Sequence, residues 1–251
     1  PSPCGGAWAL SMARVTPPTR RQALGLLGAT ALTWPRLGWG SSGWPPSMAL
    51  TYDIEGQSGA VPYRATGSLR WQHGGGRYVA SLRVKVLWLS REQTSQGTLG
   101  ASMLEPRQFT DSKGQGSEAR FDAAAARVVY SHGGQAPLHP GIQDEISLYF
   151  AMARALEQQP GAPWQGYVSN AAGQSLWTFE ALAPSTQETP SGAWPTQPMR
   201  RRLRREGDTQ ATLWLAPGLH GLPVRVLLQH GANERVDQRL TGYTPLPALG
   251  A

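Results

Sequence analysis

The chain has 251 residues, a formal net charge of +7 at pH 7 and one cysteine, Cys4, which excludes a disulfide-bonded framework. The charge is no nucleic-acid signature. Arg14, Arg20, Arg21 and Arg36 lie in the first 40 residues, which hold no acid, and the remainder carries 19 basic against 16 acidic residues, a net of +3.

Residues 1–40 differ in kind from the rest. Arg20-Arg21 precede the short apolar run Gly25–Leu32, the layout of an export signal, and the paired arginines resemble the twin-arginine type. Ala23 and Gly25 stand where that type usually carries a large apolar residue and a lysine, so general secretion stays open beside it. Met12 is a candidate start, with residues 1–11 as an upstream extension, and Gly38-Trp39-Gly40 is a weak cleavage site. The apolar run is too short for a permanent span. A helix packed on the body is the competing reading. Cys4 precedes the run and is no lipoprotein cysteine, so a thiol-free, soluble periplasmic protein is expected. Residues 41–251, about 210 in all, suffice for one β-rich domain.

From Met48 the pattern alternates. Met48, Leu50, Tyr52 and Ile54 share one face of a strand, and Tyr63, Ala65, Gly67, Leu69 and Trp71 share one face of the next. His73-Gly74-Gly75-Gly76 then predicts a hairpin turn, returning through Tyr78, Ala80, Leu82, Val84, Val86 and Trp88. Glu92–Leu99 continues as a polar strand, Leu104–Phe109 reads as a loop, and Ala119–Phe121 with Val128–Tyr130 make a short pair. The one helix signal lies between Pro140 and Pro160. Ile142, Ile146, Tyr149, Phe150, Ala153 and Leu156 form its stripe, with Asp144 as cap and Glu145 favouring the positive end of the dipole. A hairpin around Asn170–Gly173 follows, then a Pro-, Ser- and Thr-rich loop over Pro184–Pro198. Strands near Met199–Arg205, Thr209–Leu215, Pro223–His230 and Arg235–Tyr243 end the chain. The expected fold is mainly β: a strongly curved antiparallel sheet or open barrel of about ten strands with one helix packed across it. A two-sheet sandwich is the alternative.

Several short motifs, in order, resemble a family of exported bacterial proteins, domain of unknown function 3108. They are Trp71-Gln72-His73-Gly74-Gly75 with Tyr78, Leu104 with Pro106 and Phe109, Phe121-Asp122, Gly141-Ile142-Gln143-Asp144 with Ser147, Trp214-Leu215-Ala216-Pro217, and Pro223-Val224-Arg225. The resemblance implies an exported β-rich fold, similar to the periplasmic lipoprotein carriers whose curved sheet holds acyl chains, and assigns no activity.

The candidate ligand-binding residues are Gln143, Asp144, Ser147, Trp71, Trp214 and Arg225. Gln143, Asp144 and Ser147 either bind an anionic head group at a helix N-terminus or merely cap the helix. As a cap alone, Asp144 is worth on the order of 1 kcal/mol. His132 and His139 flank a turn near Asp144, the one sketch of a base and its orienter, but no metal-ligand spacing and no nucleophile motif accompany them. On a strand, Arg200, Arg202 and Arg204 would share one face and Arg201 and Arg205 the face of Leu203, so the run reads as solvated charge. No cofactor, metal or catalytic residue is expected. The partners expected are a lipid or other amphiphile and an envelope protein, not nucleic acid, with the chain a monomer. The first reading is an envelope protein that binds an amphiphile. An envelope glycan- or lipid-acting hydrolase and an assembly scaffold are the alternatives.

Overall fold

Alternation folds as the pattern dictates in β1 (Met48–Ser58), whose Met48, Leu50, Tyr52 and Ile54 are all buried, and in β2 (Val61–Gly74), where Leu69 and Trp71 are buried. The computed structural model describes residues 43–100, 102–112, 116–205 and 207–250. The segment read as an export signal lies outside the described residues. Gly75 and Gly76 turn β2 into β3 (Arg77–Val86) with φ of +57° and +73°, which glycine adopts without a Cβ clash. An antiparallel meander continues through β4 (Leu89–Leu99), β5 (Leu104–Asp111), β6 (Ser117–Asp122), β7 (Arg127–Tyr130) and β8 (Gln135–Pro137).

The two-residue strand β9 (Gln143–Asp144) leads into helix α1 (Ser147–Gln158). After it come β10 (Trp164–Ser169), β11 (Gln174–Ala181), β12 (Ser185–Thr189), β13 (Gly192–Arg201), β14 (Gln210–Ala216), β15 (Leu222–His230) and β16 (Glu234–Pro245). β16 returns to pair with β1 from Met48–Pro245 to Ser58–Glu234. The sheet order is β8-β7-β6-β5-β4-β3-β2-β1-β16-β15-β14-β13-β11-β10-β9, with β12 hanging on β13. β9 runs parallel to β10. The sheet stays open, with β8 and β9 as its ends.

The expected count of about ten strands is therefore corrected to sixteen among the described residues. Two stretches read as loops are strands. Pro106 sits in β5 where the ladder shifts register opposite Gly97, a bulge that does without a proline N–H. Pro195 lies in β13 against the short strand β12, so Pro184–Pro198 is largely a hairpin. Conversely, β13 ends at Arg201, and Arg202–Arg205 do not continue it.

The helix begins at Ser147, later than the stripe from Ile142 implies, because Gln143 and Asp144 are used as sheet. It is buried on more than one side. Ile146, Phe150 and Ala153 join a core cluster with Trp71, Tyr78, Phe109 and Leu222, whereas Leu148, Met152 and Leu156 join a second with Phe179, Met199 and Leu213. Gly221, φ +74°, lets the β14–β15 connection approach the helix so closely that a Cβ there would meet Ala153 backbone at 2.9 Å.

Phe150 is the main anchor. Fully buried, it stacks on Trp71 with ring centroids 4.1 Å apart. Phe150→Ala is expected to lower stability by about 3–5 kcal/mol, as a large cavity in a packed core does. Urea unfolding measures it; a loss below about 1 kcal/mol would show that the helix is not held through this contact.

Candidate functional site

The entry to α1 is a knot of buried polar groups. Asp144 Oδ1 accepts the Ile146 and Ser147 amides at 2.9 and 2.8 Å, while the Ser147 hydroxyl accepts the Asp144 amide at 2.8 Å. The other carboxylate oxygen, Oδ2, accepts the Ser95 hydroxyl of β4 at 2.5 Å, and Ser95 shares a 3.0 Å hydrogen bond with Tyr78 of β3. Gln143 donates to the Leu104 carbonyl of β5 at 3.0 Å and to that of Gly141 at 3.1 Å. Its buried Oε1 has no hydrogen-bond partner among the described residues. Burial pushes the Asp144 carboxyl up to about 6, against the hydrogen bonds from Ser95, Ser147 and Ile146 that favour its anion.

Next to this knot, on the inner face of the sheet, lies a cavity of about 990 Å³. Leu82, Val84 and Val86 of β3 form one wall, Leu213, Val226 and Leu228 of β14 and β15 another, and Ile146 and Tyr149 bound it at the start of the helix. Four charged side chains reach its lining: Arg91, Glu145, Arg201 and Asp208. Glu145 accepts a 2.9 Å hydrogen bond from Gln93, and burial raises its carboxyl against the pull of Gln93 and Arg91. Arg91 grips Asp111 with Nε at 2.8 Å and a second, shorter contact. Arg201 is 7% exposed, lies 3.9 Å over the Trp177 ring and donates to the Thr209 carbonyl at 2.8 Å. Asp208 is 3.8 Å away, the Arg201 Nε has no hydrogen-bond partner among the described residues, and burial lowers the guanidinium's pKa. Apolar walls beside a desolvated, incompletely paired guanidinium suit a molecule with an apolar body and a polar end.

The six residues singled out in the sequence fall in three places. Gln143, Asp144 and Ser147 come together, each no more than 1% exposed. Trp71 is fully enclosed in the core, its indole donating to the Pro45 carbonyl at 2.9 Å. Trp214 and Arg225 meet on the opposite face of the sheet from Leu213 and Val226, with the guanidinium 4.6 Å over the ring. There Arg225 grips Asp237 at 2.9 and 2.8 Å, and Arg235 and Arg239 add contacts at 2.8 and 3.1 Å. Burial works to raise the Asp237 carboxyl, but the surrounding arginines outweigh it and hold it below the usual carboxylate range. The cavity is lined by other residues. Of these, Arg201 and Trp177 escaped the sequence because a dense arginine run looks solvated, and Glu145 because it reads as a dipole partner.

His139 stacks on Tyr167 at 3.5 Å and His132 lies 5.5 Å from the Tyr130 ring. Asp144 takes its hydrogen bonds from Ser95, Ile146 and Ser147. Among the described residues there is no cluster of three His, Cys, Asp or Glu placed to hold a metal, and no helix long and apolar enough to cross a membrane.

No protein-family model matches the chain, and no curated protein does. Among solved structures, the chain is similar to a β-barrel-like protein of the domain of unknown function DUF1849 from Brucella abortus. The two share 10% identity at a TM-score of 0.54, covering 82% of this chain and all of that one. A protein with a YmcC-like fold from Bacteroides fragilis aligns over 80% of this chain and 98% of its own, at 10% identity and a TM-score of 0.34. The first likeness is one of fold. The chain thus shares its β-rich architecture with a protein of unknown function.

The buried carboxyl generates a pH signature. Because the fold raises Asp144 from its ordinary 3.8 to about 6, the folded state binds the proton more tightly than the unfolded chain. Its contribution is most favourable below pH 4 and declines as pH rises through 6, by on the order of 3 kcal/mol. Asp144→Asn is expected to remove that slope from the difference between the two stability curves measured from pH 4 to 7. Parallel curves would show that Asp144 does not titrate in this window.

Proposed function

We propose that the chain is an exported periplasmic protein of the bacterial envelope, a relative of the family of domain of unknown function 3108, whose residues 41–251 form a carrier for a lipid or other amphiphile. The observation that carries this reading is the cavity of about 990 Å³ between the inner face of the sheet and the start of the helix. Its size is at the upper end of small-molecule sites, roughly 300–1,000 Å³. The apolar body of the ligand lies against β3, β14 and β15. Its polar end meets Arg201 on Trp177, with Glu145 and Gln93 opposite.

Binding rather than bond cleavage fits the geometry. A hydrolase built on Asp144 and a histidine needs the two within hydrogen-bond reach of a substrate. Asp144 is fully enclosed and saturated by Ser95, Ile146 and Ser147, while His139 is committed to the Tyr167 ring. In this reading Gln143, Asp144 and Ser147 set the helix that bounds the cavity, Trp71 anchors that helix through Phe150, and Arg225 with Trp214 braces the sheet's far side. The motif resemblance favours kinship with the 3108 family.

Native mass spectrometry of protein recovered from the periplasm, followed by solvent extraction, is the direct test. A monomer carrying a bound amphiphile is the expected result. Leu228→Trp, which places a large ring in the cavity, should abolish that adduct while changing stability by no more than about 1–3 kcal/mol. A chain recovered empty, and still empty after incubation with phospholipid and fatty acid, would overturn the carrier reading.

A further inference from the structure

The β3–β4 hairpin ends in an unusual tip. Val86 pairs with Leu89, leaving Leu87 and Trp88 as the two-residue loop. Leu87 has φ +53°, a conformation that such loops ordinarily give to glycine, asparagine or aspartate. Leu87, Trp88 and Leu89 are 83%, 85% and 65% exposed, and Val61, near the tip of the β1–β2 hairpin at the same end of the sheet, is 66% exposed. Three consecutive large apolar side chains are thus held in water by a backbone strained to hold them.

Basic residues flank the tip. Lys85 and Arg83 occupy the outer face of β3, and Arg91 follows on β4. Arg83 pairs with Glu92 at 2.6 Å and Arg91 with Asp111, while Lys85 has no ion pair among the described residues. At the tip end of β3 and β4, Arg83, Lys85 and Arg91 stand against Glu92, with Asp111 of β5 beside Arg91. An indole beside leucines, with cationic side chains just behind, is the chemistry of a bilayer interface. Tryptophan takes the headgroup level, the leucines reach the acyl boundary, and the cations meet lipid phosphate.

We propose that this tip docks the protein on a membrane surface carrying anionic lipid. The placement rests on exposure, strain and charge at the tip, independently of whether the cavity holds a ligand. Yet the tip adjoins that cavity, since Val84, Val86 and Leu89 line it.

The test is co-sedimentation of protein recovered from the periplasm with vesicles of phosphatidylethanolamine and phosphatidylglycerol, and with vesicles of phosphatidylcholine alone. Wild type is expected to bind the anionic vesicles more tightly. The double variant Leu87→Gly, Trp88→Ala should bind them at least about tenfold more weakly while melting no lower, since glycine accepts the positive φ. Lys85→Glu should weaken binding to the anionic vesicles and leave phosphatidylcholine unchanged. Trp88→Phe should keep binding but lose the part of the fluorescence quenched by lipids brominated in their acyl chains. Retention of any co-purified amphiphile by the double variant would separate docking from ligand binding. Absence of vesicle binding by wild type, equal binding by the double variant, or a concentration-dependent dimer abolished by Trp88→Ala would overturn the proposal.

Discussion

The structure depends on a carboxylate buried without a cation beside it. Asp144 satisfies two amides at the start of α1, which would otherwise be orphaned inside the protein, and its second oxygen reaches across to Ser95 on β4. That one side chain therefore ties a parallel strand at the sheet's end, the helix, and a strand far along the meander. Desolvation makes the anion costly, as the raised carboxyl shows, so the arrangement holds because each oxygen is hydrogen-bonded. Once the helix is set this way, Phe150 lies over Trp71 and Leu148 falls on the other cluster, with one helix wedged between two parts of the core.

Length then decides what the wedge leaves uncovered. Twelve helical residues rise about 18 Å, whereas the fourteen residues of β2 extend about 46 Å. The helix sits toward the end where Trp71 and Leu222 lie. At the other end the inward positions Tyr63, Val84, Val86, Leu228 and Val236 have no helix over them, and there the cavity opens. The cavity is a consequence of one short helix on long strands rather than of any special residue.

This explains which features were legible in the sequence. Period-two alternation through β1, β2 and β3, with the Gly75-Gly76 turn, is local and was readable residue by residue. So was the role of Asp144 toward the helix amides, because capping is set by spacing. The strand count was not, since Pro106 and Pro195 look like breakers until bulge and partner are known. Nor was β9, whose two residues carry no period. Arg201 shows the limit most sharply. It belongs to a run of arginines, and which of them is buried depends on where β13 stops and on Trp177 two strands of sequence earlier.

The β3–β4 tip follows from the same geometry and yet exceeds it. The inward face of β3 is apolar through Leu82, Val84 and Val86, with Leu89 of β4 opposite Val86, so uncovered strand ends alone leave some apolar surface near the mouth. They do not require Leu87 and Trp88. A glycine- or asparagine-containing turn would close the same hairpin without the strain of a positive φ, of order 1–3 kcal/mol, and without putting an indole in water. Neither side chain is offset by packing among the described residues, since both remain almost wholly exposed. A surface that accepts apolar side chains and positive charge together, as in the proposed membrane docking, matches what the hairpin presents.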